Sequence, residues 1–175
     1  MVDELQIDQI QKVLMPIPQR NGMVSEQKDI KISVGRSMSV GMGVDELLAK
    51  YASGERDFRG VLLRGVDLSG CNLSGVNLKG ANLHQANLCG ANLSGANLHR
   101  AYLSEANLAF ADLSGSLLQG ANLAKANLCG ADLSGSNLKV AFMWEANLTE
   151  ADLKGANLDE AILTRTIMPN GKMHQ

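Results

Sequence analysis

Apolar residues recur along this chain neither every three or four positions nor every second one, but every fifth. From Ala81 the sequence reads ANLHQ ANLCG ANLSG ANLHR AYLSE ANLAF ADLSG without a slip of register. The central position of the unit runs from residue 58 to residue 168 in steps of five, giving 23 pentapeptides, and Leu fills all of them except Phe58, Met143 and Met168. An α-helix turns about 100° per residue, so this spacing would scatter the leucines around its whole surface. A flat strand fails too, because side chains alternate and an odd spacing throws successive leucines to opposite faces. The chain must turn once per repeat, each pentapeptide forming one short strand and a corner.

In that arrangement the central residue and the residue two before it point inward, while the residue between them and the two that follow point outward. Ala holds 15 of the 23 inward positions before Leu, with Val61, Val66, Cys71 and Val76 among the others, which suits a confined interior. Asn or Asp holds 17 of the 23 positions immediately before the central residue, where it tolerates turns and bonds to nearby backbone. Gly ends 12 repeats, as expected of a corner with unusual dihedral angles. Longer echoes set the number of sides: ADLSG begins at 111 and 131, ADLKG at 151, and ANLCG at 86 and 126. Spacings of 20 and 40 residues mean four pentapeptides per coil. At about 4.8 Å per layer the rod is about 27 Å long.

The run of A(D/N)LxG units resembles the pentapeptide-repeat family over about two thirds of the chain. The resemblance implies an all-β fold, the right-handed quadrilateral parallel β-helix, a solenoid. Val44 to Phe58 (VDELLAKYASGERDF) and Thr166 to His174 (TIMPNGKMH) are similar to cyanobacterial members in particular. Some such members regulate heterocyst differentiation, some relatives mimic duplex DNA and bind gyrase, and some dimerise end to end. The resemblance thus implies a non-catalytic protein-interaction scaffold in a cyanobacterial cytoplasm, with a gyrase-binding DNA mimic as the alternative and a homodimer through a rod end as a further expectation.

The flanks divide the chain into an arm over 1–43, a capping helix over 44–54, the repeats over 55–168, and a turn with a tail over 169–175. Val44, Leu47, Leu48 and Tyr51 follow helical spacing, Asp45 and Glu46 suit a first turn, and Gly54 suits a helix end, so this segment is expected to cover the first coil. Pro169-Asn170-Gly171 is a turn that stops the last strand. Within the arm, Leu5, Ile7, Ile10, Val13 and Leu14 fit a short helix ending before Pro16, and Asp29 to Val34 fits a strand. The arm has no aromatic residue and is rich in Gly, Ser and Met from Gly35 to Gly43, which predicts a flexible segment.

Composition narrows the function. The net charge of -2 provides no basic footprint for nucleic acid. Ten acidic and nine basic residues over 56–170 leave little charge for imitating a polyanion. The N-terminus lacks a basic segment followed by an apolar one, and no apolar run is long enough to span a membrane, so a cytoplasmic location without membrane contact is expected. Cys71, Cys89 and Cys129 fit neither a disulfide framework nor a zinc site. Cys89 and Cys129 fall on one side but two layers apart, about 9.6 Å, beyond disulfide reach. Gly41-Met42-Gly43 is a poor phosphate loop, because Asp45 and Glu46 would repel an anion. Asp112, Asp132 and Asp152 stack on one convex wall that offers a cation no enclosure. The sequence therefore predicts no catalytic residue, cofactor or metal.

Function is expected where the repeat breaks its own rule. Six repeats lack Asn or Asp before the central residue, and four of these, at Leu62, Tyr102, Phe142 and Ile162, share one side. Trp144 joins them, and Val140 adjoins Phe142 at the preceding corner. Because Leu fills the core, these residues are expected to project outward as an apolar patch for an unidentified protein partner. Two other readings are cover by Ile7, Ile10 and Leu14 of the arm, and neutral drift.

Overall fold

A computed structural model describes residues 42–175. The expected arm, with its helix and strand, lies outside the described residues except for Met42 and Gly43.

From the first repeat onward the chain is a right-handed, four-sided parallel β-helix. Parallel bridges join residues 20 apart, from Asp57–Asn77 up to Asn147–Ile167, so one coil is four pentapeptides. Each repeat contributes the residue before its central position as a bridging residue, with Cys71 bridging beside Asn72 in one of them, and the strands are no longer than that.

The destinations of the five backbone N–H groups explain the motif. In the repeat centred on Leu88, Asn87 donates to Val66 O of the coil below at 2.8 Å, and Leu88 and Gly90 donate to Asn107 O and Ala109 O of the coil above at 2.7 and 2.8 Å. Ala86 donates to Leu83 O at 3.0 Å and closes the turn from the previous repeat. The fifth N–H, that of Cys89, points at no backbone carbonyl and is taken by the Oδ1 of Asn87 at 3.3 Å. All 17 repeats with Asn or Asp at this place make the same bond. The Asx residue is thus the acceptor for a donor that neither coil reaches.

The last residue of every repeat except the final one takes the left-handed dihedral that the third residue of a type II turn requires. Gly meets this at no steric cost, as at Gly90 with φ of 66°; ten non-glycine residues occupy it as well, among them Phe110 at 58° and Val140 at 52°. Each such residue carries a penalty of about 1–2 kcal/mol, which the surrounding ladder holds in place.

Inside the rod the central leucines from Leu63 to Leu148, with Met143, are wholly buried, and alanines fill the space between them. The N-terminal end is closed by helix α1, Val44–Ala52, which buries Leu47, Leu48 and Tyr51 on the first coil. Gly54, at φ of 102°, ends α1 in a Schellman motif: Gly54 N–H donates to Tyr51 O and Glu55 N–H to Lys50 O, each at 3.0 Å. The Tyr51 hydroxyl donates to Ser74 O at 2.8 Å, and the Arg56 guanidinium lies 3.8 Å over the Tyr51 ring, tying α1 to the rod. At the other end, Pro169-Asn170-Gly171 turns the chain back so that Met173 bridges Ile167 in antiparallel sense. This tail covers one side only, and Leu153, Leu158, Leu163 and Met168 remain partly exposed.

Ser116 and Ser136 occupy inward alanine positions in successive coils, fully buried, and their hydroxyls have no hydrogen-bond partner among the described residues. Ser116→Ala and Ser136→Ala are each expected to raise unfolding free energy by about 1 kcal/mol, because an unsatisfied buried hydroxyl costs about 1–3 kcal/mol. Urea titration of the two variants checks this, and a loss of stability in both contradicts it.

Candidate functional site

The four repeats that break the rule on one side form part of a single column. Bridges run Leu62–Asn82–Tyr102–Asn122–Phe142–Ile162, so large apolar residues and asparagines share one vertical line. On the neighbouring side the corresponding column is Asp67, Asn87, Asn107 and Asn127, in which each Asn amide donates downward to the Oδ1 of the residue in the coil below at 3.0 to 3.2 Å. That amide ladder is absent where an aromatic ring separates Asn82 from Asn122. The Nδ2 of Asn122 makes no hydrogen bond to another described residue, although its Oδ1 still accepts from Ala124 N–H at 3.1 Å.

Losing the Asx side chain also leaves a backbone donor over. The N–H groups of Arg64, Ser104, Trp144 and Thr164 follow Leu62, Tyr102, Phe142 and Ile162, and none bonds to a described residue. Gln119 N–H, after Leu117, is in the same state. The sixth break is different: Ile167 is followed two residues on by Pro169, which has no N–H to satisfy.

Tyr102 is 56% exposed and Phe142 45%, and they form two walls of a shallow notch of about 540 Å³ at the corner of the rod. Gly120 and Asn122 form its floor, and Arg100 and Val140 flank it. The notch exists because the corner column reads Arg100, Gly120, Val140, so the middle layer contributes no side chain. The Arg100 stem leans inward over the gap, with its Cγ 3.4 Å from where a Cβ on Gly120 would lie. Arg100 forms no ion pair with a described carboxylate.

Of the residues singled out by sequence, Tyr102, Val140 and Phe142 meet at this notch. Val140 does not stand out freely as expected; it is half-buried at the corner because it leans on the same gap. Ile162 is exposed one layer above Phe142, and Leu62 is exposed two layers below Tyr102 with Asn82 between. Trp144 is exposed on the opposite edge of the side, where Lys125 Nζ lies 5.0 Å from its ring centre. Glu145 beside it is bound by Lys125 at 3.8 Å and by Arg165 at 3.0 Å. Three exposed apolar residues lie outside the predicted set: Leu117, Met173 and Phe110, the last 64% exposed with its ring over Gly130. Leu117 was visible as a break in the repeat, and Phe110 as a phenylalanine at a corner position.

Other chemistry is sparse. Among the described residues no three His, Cys, Asp or Glu side chains come close enough to hold a metal ion, and no helix is long and apolar enough to cross a membrane. The stacked carboxylates Asp112, Asp132 and Asp152 serve as turn acceptors for Ser114, Ser134 and Lys154. Burial, reinforced by the Asp67 carboxylate, pushes the Cys71 thiol from 9.0 up to about 11. Burial also raises that of Cys89.

The family model for pentapeptide repeats matches the chain in 8 copies, over residues 57–95, 81–120, 96–135 and 130–165. A search among curated proteins finds no match. Among solved structures, Rfr23, a pentapeptide repeat protein from the cyanobacterium Cyanothece 51142, is 34% identical with a TM-score of 0.62, covering 65% of this chain and 89% of its own. A pentapeptide repeat protein from the Arabidopsis thaliana thylakoid lumen is 39% identical with a TM-score of 0.51, over 52% of this chain and 63% of that one. The fold is therefore not confined to the cytoplasm. HetL, a pentapeptide repeat protein involved in heterocyst differentiation regulation in Nostoc sp. strain PCC 7120, is 27% identical over 76% of this chain and 100% of that one, with a TM-score of 0.36. At that score the likeness carries no argument about role.

Two outcomes follow from these side chains. The folded chain holds the Cys71 proton up to about 11, whereas an unfolded thiol loses it near its ordinary 9.0. The contribution is thus complete below pH 9 and lost as pH rises towards 11, and Cys71→Ala is expected to flatten that alkaline fall in denaturation midpoint. An unchanged fall contradicts the assignment. Separately, Val140→Gly is expected to stabilise the rod by about 1 kcal/mol by relieving a β-branched residue of left-handed dihedrals, readable as a higher Tm.

Proposed function

The chain belongs to the pentapeptide-repeat family, and we propose that it works as a non-catalytic protein-interaction scaffold whose contact surface is the side bearing Leu62, Tyr102, Val140, Phe142, Trp144 and Ile162. The observation that carries this reading is the column at Tyr102 and Phe142. There the chain gives up both the Asx bond and the amide ladder in exchange for exposed aromatic rings. A rod under selection for stability alone would keep Asn, as the neighbouring side does. Exposed Tyr, Phe and Trp grouped on one side are the usual anchors of protein interfaces. A DNA-mimicking role finds less support, because Glu145 is held between Lys125 and Arg165 and Glu160 is paired with Lys139 at 3.3 Å, so the wall lacks a continuous negative column.

The test separates binding from folding. Tyr102→Asn and Phe142→Asn restore the consensus, returning an acceptor to the Ser104 and Trp144 N–H groups. Each is expected to raise stability by about 1 kcal/mol while weakening capture of partners from an extract of the source cells, compared with the unaltered chain. Partner sets that are identical for the chain and the double variant overturn the assignment of this face.

A further inference from the structure

Resting on that reading, we infer that the notch between Tyr102 and Phe142 receives an aromatic side chain from an acidic segment of the partner, with a carboxylate beside it on Arg100. Three features of the notch select this occupant.

Spacing selects the ring. Tyr102 and Phe142 sit two layers apart on one column with Asn122 between them. At about 4.8 Å per layer their side chains leave the sheet about 9.6 Å apart. A ring inserted midway lies about 4.8 Å from each, inside the range of about 4.5–7 Å that paired aromatic rings favour. The missing side chain at Gly120 opens the corner through which such a group enters.

Hydrogen bonding selects an acceptor. The notch presents the Arg100 guanidinium and the Asn122 Nδ2, and neither has a partner among the described residues. No carboxylate of the described residues lines it.

Charge selects an acidic segment. The wall around the corner carries Lys79, His99, Gln119, Lys139 and Asp159 in one column, with Lys139 already paired to Glu160, so the cation that decides the charge of the notch is Arg100 in its own lining. Of the nearby carboxylates, Glu160 is paired by Lys139, Glu145 by Lys125 and Arg165, and Glu105 is bound by the Gln85 amide at 3.0 Å, while Asp159 stands one layer above Lys139 and outside the lining of the notch. A basic segment would meet Arg100 with no counter-charge, whereas an acidic one finds it unpaired.

Amide chemical-shift mapping on the full-length chain tests this with three capped tetrapeptides at millimolar concentration: one phenylalanine among three glutamates, one phenylalanine among three lysines, and one alanine among three glutamates. The acidic aromatic peptide is expected to shift the amides of Arg100, Gly120 and Asn122 saturably, with at least tenfold weaker effects from the other two. Asn122→Asp keeps the turn acceptor, as Asp112 and Asp132 do in their own repeats, but removes the Nδ2 donor and places an anion on the floor. It and Arg100→Glu are each expected to weaken binding at least tenfold with an unchanged spectrum elsewhere. Equal binding of the lysine peptide, no binding of the acidic aromatic one, or indifference to both substitutions overturns the inference. If the acidic aromatic peptide fails while Phe142→Asn still abolishes partner capture, the face stands and only this chemistry falls. Binding that improves tenfold when Ile7 and Ile10 are both changed to Asp assigns the notch to the chain's own N-terminal segment and overturns a partner as its occupant.

Discussion

One backbone N–H in every five lies beyond the reach of both neighbouring coils, and the rest of this molecule is arranged around that deficit. Four of the five donors per repeat are met by main-chain carbonyls, so the coil can close with any side chain facing outward. The fifth needs an oxygen two residues back, which Asn or Asp carries at the right length. This explains the motif better than turn propensity does, and Pro169 shows the same rule from the other direction. Where the donor is missing, at the repeat of Ile167, the Asx residue is missing too.

The five remaining breaks are then informative as costs. Each leaves a backbone donor without an acceptor among the described residues, and a hydrogen bond of this kind contributes about 1 kcal/mol. Three of the five, at Leu62, Tyr102 and Phe142, alternate with Asn82 and Asn122, so the column also loses the amide-to-amide ladder of the next side. Val140 adds a β-branched residue in left-handed geometry at the same corner. Four of the five breaks fall on one side, and two of them, Tyr102 and Phe142, meet Val140 at the notch, where these local costs accompany exposed apolar surface.

Much of the architecture was legible in the sequence because the repeat is nearly free of noise. The five-residue spacing dictates one corner per unit, and echoes such as ADLSG at 111 and 131 dictate four sides. The column of Leu62, Tyr102, Phe142 and Ile162 followed by counting, since stacking in a solenoid is a matter of residue number alone. The notch did not follow, because it depends on what is absent at Gly120 and on the lean of Arg100 over that gap. Periodicity places a residue in a row without stating how much room its neighbours leave. The half-burial of Val140, the stranded hydroxyls of Ser116 and Ser136, and the ring of Phe110 lying over Gly130 were unreadable for the same reason.

The 20-residue coil limits how such a chain can lengthen during evolution. Each pentapeptide satisfies its own turn, so adding one does little local harm. Yet a single unit inserted between Tyr102 and Phe142 rotates everything beyond it by a quarter turn and sends the two rings to adjacent walls. Only whole coils preserve the alignment of a side, and even one whole coil placed between them would widen the gap beyond the span of a single ring. Repeats added or removed above and below the notch leave its geometry intact, whereas any change in the number of repeats between Arg100 and Phe142 erases it.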